Sequence, residues 1–196
     1  MNILVDSFPT SLEIDGVDYE IKTDYRYSLY TILAFEDKEL TNYEKLNIML
    51  ENLFVEIPDN VEAMLEKTQW FLNGGKESSS DDSENRLYSF SKDASLIFAA
   101  FKQTHNIDLE QETNLHWWKF LSYFMDLGQN TVFCQLVALR DKYYSGRASK
   151  EEKQAIRKMG DMFYIDQTDD TLSLEDREKV EKVKEAYKKA KELRGK

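Results

Sequence analysis

At 196 residues, 41% of them apolar and 32% charged, the chain is long enough to bury a sizeable core and should also carry an extensive solvated surface. Its net charge of −11 opposes attraction to phosphate backbones and anionic bilayers, which argues against nucleic acid and membrane surfaces as partners. The single cysteine, Cys134, excludes an internal disulfide, no stretch approaches about eighteen apolar residues, and the opening MNILVDSFPT lacks the basic and apolar parts of a secretory signal. Synthesis and residence in a cytosol are expected.

The first element is a hairpin over residues 11–22. In SLEIDGVDYEI, Leu12 and Ile14, then Val17, Tyr19 and Ile21, alternate with polar residues around Asp15-Gly16, a pair suited to the tight type I′ turn. Two strands are marginal alone and must lie on something else. From Asp24 the apolar period lengthens to that of a helix, with Tyr27, Tyr30, Ile32, Leu33 and Phe35 as its apolar members and an end near Asp37. Thr41 and Glu44 form a T-x-x-E capping box for a second helix carrying Leu46, Met49, Leu50, Leu53 and Phe54, which Pro58 should close. Asp59 with Glu62 should open a third through Val61, Met64, Leu65, Trp70 and Phe71, stopped by Asn73-Gly74-Gly75.

GGKESSSDDSEN, residues 74–85, is acidic and has no apolar anchor, so it reads as a mobile surface loop and as the boundary between two helical halves. Asp81 and Asp82 lack the spacing of a calcium loop. Next, SKDASLIFAAFKQTH over residues 91–105 has a serine cap and a stripe of Leu96, Ile97, Ala100 and Phe101, with Asn106 and DLEQET as the connection onward. After the aromatic stretch at 114–127, NTVFCQLVALRDKYY should be a helix ending at Ser145-Gly146, and Ser149 with Glu152 forms a second capping box. Beyond Gly160, an acidic linker should lead to a charged helix with a Val180, Val183, Tyr187, Ala190 seam, too short for a coiled coil; it docks, pairs or frays. The order is that of a mainly α protein: an N-terminal β-hairpin followed by a multi-helix globular bundle, one domain over 1–165, with 166–196 appended. No internal repeat is visible.

NLHWWKFLSYFMDL, residues 114–127, is the most unusual stretch. At helical spacing its polar members His116, Lys119, Ser122 and Asp126 form one narrow stripe, so the helix should be enclosed on nearly all sides, capped by Asn114 or Thr113. His116 would sit in the first turn, where the helix dipole disfavours an imidazolium. His105, Asp108, Glu112 and His116 can be drawn as a metal set, but their spacing matches no usual ligand pattern and no metal is expected. The sequence has no nucleophile elbow, no glycine-rich phosphate loop and no zinc-protease motif, and Cys134 among Val132, Phe133, Leu136 and Val137 reads as an inert buried thiol. No catalytic residue and no cofactor are assigned. The candidates for function are Trp117, Trp118, Phe120, Tyr123 and Phe124, as core side chains or as side chains that also contact another chain.

The run FSKDASLIFAAFKQTHNIDLEQETNLHWWKFLSYFMDLGQNTVFCQLVALR resembles the bacteriophage gene-product-fifteen family of tail-gene proteins. The resemblance is carried by Asp93, Phe101 at a helix end, Ile107-Asp108-Leu109, Leu115 to Phe120, and a helix reaching Arg140. Upstream, NIMLENLFVEIPDNVEAMLEKTQWFLNGG is also similar, in its acidic turn with proline and its Trp-Phe-Leu before glycines. The likeness covers most of residues 40–145. It implies a non-enzymatic tail assembly protein of the bacterial host cytoplasm, a chaperone shielding apolar segments of the tape-measure protein or binding tail-tube subunits, with self-association open. The alternatives are a structural component kept in the virion and, last, an enzyme using carboxylates.

Overall fold

The computed structural model describes residues 2–76 and 85–166, which gather into two compact units. One comprises residues 2–76 with Asn114–Trp118, the other residues 85–113 and 119–166. The protein is mainly helical with an N-terminal antiparallel hairpin, as expected. Most of the acidic loop expected over 74–85, and the linker and helix expected beyond residue 166, lie outside the described residues.

In the first unit, β1 (Ser11–Ile14) pairs with β2 (Val17–Glu20) in the register Leu12 to Tyr19 and Ile14 to Val17. Asp15 and Gly16 both take positive φ, 52° and 78°, as the type I′ turn requires. Leu12, Ile14 and Ile21 are buried, whereas Val17 at the turn is exposed. The hairpin rests on α3 (Val61–Leu72). Asn60 links the two: its Oδ1 accepts from the Ala63 amide, capping the helix, and its Nδ2 donates to Asp15 Oδ2 at 2.9 Å. The cap is thus Asn60 and not Asp59, one position later than expected, because this side chain serves helix and turn together.

Helix α1 (Tyr25–Glu36) has the expected period but a different phase. It buries Tyr25, Ser28, Thr31 and Ala34 and leaves Tyr27 and Tyr30 exposed. The small residues permit close approach to α2 (Asn42–Leu53), its packing partner. Thr41 and Glu44 form the capping box, and the amide bond from Thr41 is the first cause of a lowered Glu44 pKa. Buried Lys45 donates its Nζ to the Phe35 carbonyl at 3.1 Å, a cation at the negative end of α1. Helix α2 ends at Leu53, well before Pro58. Phe54 turns extended and bridges Ile21, while the Lys22 amide donates to the Leu53 carbonyl and the Val55 amide to that of Glu20. Strand-like pairing, not proline, ends this helix.

The second unit contains α4 (Ala94–His105), α6 (Val132–Tyr144), α7 (Lys150–Met159) and most of α5 (Trp117–Met125), whose first two residues belong to the first unit. Ile97, Ala100 and Phe101 of α4 are buried as expected. The serine cap is not: Asp93 flanks the helix, and its carboxylate turns to Arg140 instead of capping. Thr131 caps α6, and Ser149 with Glu152 boxes α7. Leu136, Ile156 and Phe163 make a small buried cluster. Cys134 is half-buried, not enclosed, and donates its thiol to the Leu127 carbonyl at 3.4 Å. No helix among the described residues is long and apolar enough to cross a membrane.

Candidate functional site

The aromatic stretch begins as extended chain. Residues 115–117 lie beside 23–25: the Tyr25 amide donates to the Leu115 carbonyl and the Trp117 amide to that of Thr23, each at 2.8 Å. The helix therefore starts at Trp117, and His116 stands just outside it. The Trp118 amide donates to His116 Nδ1 at 3.0 Å, so the imidazole is the side-chain cap that was expected of Asn114 or Thr113. With Nδ1 accepting, Nε2 carries the proton and donates to the Pro9 carbonyl at 3.0 Å. The ring stacks on Phe8, 4.9 Å between centroids. Burial lowers its pKa from 6.5, outweighing the opposite pull of the Pro9 bond.

Both tryptophans are turned inward, Trp117 1% and Trp118 4% exposed. Their indole N–H groups donate to Leu72 at 3.0 Å and Phe71 at 2.8 Å, carbonyls of the last turn of α3, of which that of Phe71 also accepts the Gly74 amide at 3.1 Å. Trp118 also packs edge-on to Trp70 at 5.2 Å. A side chain at Gly75, whose φ is +82°, would put its Cβ 2.6 Å from the Trp118 ring. The glycine behind Trp-Phe-Leu thus has two reasons to be there, its backbone conformation and the indole against it.

Phe120, Tyr123 and Phe124 serve the second unit. Phe120 stacks on Phe101 at 4.8 Å, and Phe124 packs against Tyr88, Phe90 and Phe133. Tyr123 is half-buried against His105, whose Nε2 lies 2.9 Å from the Tyr123 carbonyl. Lys119 and Ser122 of α5, and Asp126 just after it, are exposed, as the polar stripe requires, but Met125 is exposed as well, at 75%, where an apolar residue of this helix was expected to be enclosed. Nor do His105, Asp108, Glu112 and His116 form a metal-binding group. Among the described residues no three histidine, cysteine or carboxylate side chains are placed to hold an ion. Asp108 lies 3.8 Å from Lys102, and His116 is committed to Pro9.

One cluster escaped the sequence reading. Arg140, with no exposed side-chain surface, holds Asp93 through both terminal nitrogens at 2.7 and 3.0 Å. The same guanidinium donates to the carbonyls of Leu87, Met162 and Phe163. Asp93 in turn accepts the Ser89 amide at 3.1 Å. Asp93 and Arg140 both stand among the residues that carry the family resemblance, but one sequence does not reveal which carboxylate an arginine meets.

These features define a mainly helical protein in which the histidine, the tryptophans and the buried arginine bond largely to backbone carbonyls. The chain belongs to the family described as Bacteriophage Gp15 protein, whose model matches residues 4–165. That membership makes it a phage structural or assembly-related protein. No curated protein and no solved structure matches it.

Proposed function

We propose that this protein is a non-enzymatic tail assembly factor, a chaperone that binds the tape-measure protein or other tail components in the host cytoplasm while the tail is built. The observation that carries this reading is the orientation of α1. Its buried face is built from Tyr25, Ser28, Thr31 and Ala34, while Tyr30, 56% exposed, stands one turn from half-buried Leu33 on one side and from exposed Tyr27 on the other. A helix that packs through small residues and presents Tyr27 and Tyr30 outward is suited to a protein partner, because tyrosine gives large contact area at little entropic cost. Family membership supplies the setting.

Mass spectrometry of purified virions beside the producing lysate tests the proposal. A chaperone is abundant in the lysate and scarce in particles; a fixed copy number per virion would make it a structural tail component instead. Replacing Tyr27 and Tyr30 together by serine should leave the melting temperature nearly unchanged and abolish co-purification with tail proteins.

A further inference from the structure

In the second unit, α6, α7 and the segment after Met162 border an open cleft of about 440 Å³ lined by Tyr143, Tyr144, Lys153, Ile156, Arg157 and Tyr164. Ile156, fully buried, gives it an apolar base. Tyr143 meets Tyr144 and Tyr164 edge-on at 5.5 and 5.9 Å. The Tyr144 hydroxyl is engaged by the backbone of Ile165, accepting its amide and donating to its carbonyl. A hydrogen bond with Tyr143 raises the Tyr164 pKa.

The charges at this cleft are uniform in sign. Lys153 and Arg157 are four residues apart on α7, an arrangement mildly unfavourable by itself. Of the nearby cations, Lys142 pairs with Glu152 at 2.7 Å and Arg147 with Asp141, whereas Lys150 and Lys158 of α7, which do not line the cleft, have no such pair among the described residues. Among the described residues neither Lys153 nor Arg157 has a carboxylate within ion-pair distance. In a chain with 37 acidic and 26 basic residues, two cations without a carboxylate partner, one turn apart beside three phenols, make the cleft locally positive and complementary to carboxylates. Phenols and cations would also suit a single-stranded nucleic acid, but a net charge of −11 opposes a polyanion far more than a short acidic peptide.

We propose that this cleft docks an extended acidic segment of a partner protein, its carboxylates meeting Lys153 and Arg157 and an apolar side chain resting among the tyrosine rings. The inference rests on the protein-binding reading above and gives that partner a chemistry. The probe is a fluorescein-labelled octapeptide of alternating glutamate and leucine, followed by anisotropy with the full chain. Its counterpart with glutamine for glutamate and an eight-nucleotide oligothymidylate serve as comparisons. The acidic peptide should bind saturably and more weakly as salt is raised. The double variant Lys153→Glu/Arg157→Glu should lose about ten-fold or more in affinity at an unchanged melting temperature, since both side chains are exposed. Equal binding of the glutamine peptide, preference for the oligothymidylate, absence of saturable binding, or indifference to the charge reversal would each overturn the assignment. If the double variant still captures tail proteins as the wild type does, the cleft proposal fails while the wider reading stands. If the wild type captures none, it is the wider reading that fails.

Discussion

The two units solve one problem with opposite chemistry. Each contains backbone carbonyls left over where a helix ends or a segment runs without a ladder, and each answers them with a large buried side chain. In the first unit the donors are neutral rings: Trp117 to Leu72, Trp118 to Phe71 and His116 to Pro9. In the second, one guanidinium reaches Leu87, Met162 and Phe163. A neutral donor brings no charge inside and needs no counterion, whereas Arg140 must be accompanied by Asp93. The indoles also fill volume, which makes that anchor mainly a matter of packing; the arginine anchor is mainly electrostatic and depends on the fixed fork of its donors.

The largest effects should follow from unbalancing the charged anchor. Arg140→Ala leaves a buried carboxylate alone and should cost roughly 3–5 kcal/mol in urea unfolding. Arg140→Lys should rescue little, because an ammonium cannot grip a carboxylate with two parallel bonds and also reach three carbonyls. Replacing both partners by apolar residues, Asp93→Leu with Arg140→Met, should recover only part of the loss. A simple ion pair would tolerate that exchange; here the carbonyls would still lack a donor. Full recovery would mean that the carbonyl bonds contribute nothing.

For the neutral anchor, Trp117→Ala should cost about 3–5 kcal/mol through the cavity it opens. Trp117→Phe separates packing from hydrogen bonding: it refills much of the space but leaves Leu72 without its donor, and a loss of about 1–3 kcal/mol is expected. No loss at all would reduce the anchor to packing. Gly75→Ala is expected to cost about 1–3 kcal/mol, combining a positive φ with a Cβ forced onto the indole. Because the steric part depends on the ring, Gly75→Ala and Trp118→Phe should together cost less than the sum of the two alone. Strict additivity would show that only the backbone conformation matters at Gly75.

What could be read from the sequence divides along the same physical lines. The Asp15-Gly16 turn, both capping boxes and the helix periods depend on residues a few positions apart, and each of these local features is found in the structure. The phase of α1 was misjudged because the size of a side chain does not reveal which face has room: its packing on α2 favours Ser28, Thr31 and Ala34 over the tyrosines. The end of α2 was set by a bridge to Ile21, thirty-odd positions away in the chain, which outweighed the nearby proline. Among the site residues, the inward placement of the two tryptophans follows from their apolar area. The His116 cap and the meeting of Asp93 with Arg140 depend on tertiary contacts that no spacing rule encodes. The tyrosine cleft likewise draws residues from two helices and the segment after Met162, and none of its members forms a motif in the sequence.

The smallest of these effects is the one that pH should reveal. His116 accepts the Trp118 amide through Nδ1, so protonation there removes the helix cap and places a cation where the helix dipole is positive. Burial already holds its pKa below 6.5. Above the unfolded value the residue is neutral in both states and its contribution to stability is complete. As pH falls below about 6.5 the unfolded chain takes up a proton first, and stability declines until the folded value is passed and both states are protonated. His116→Asn keeps a side-chain acceptor at the cap and removes the titrating group. The difference in melting temperature between wild type and this variant, measured from pH 7.5 to pH 5, should therefore shift steadily against the wild type as the solution is acidified. Parallel curves would mean that the imidazole is held by Phe8 and Pro9 irrespective of its charge, and that its bond to Trp118 is incidental to the stability of the aromatic anchor.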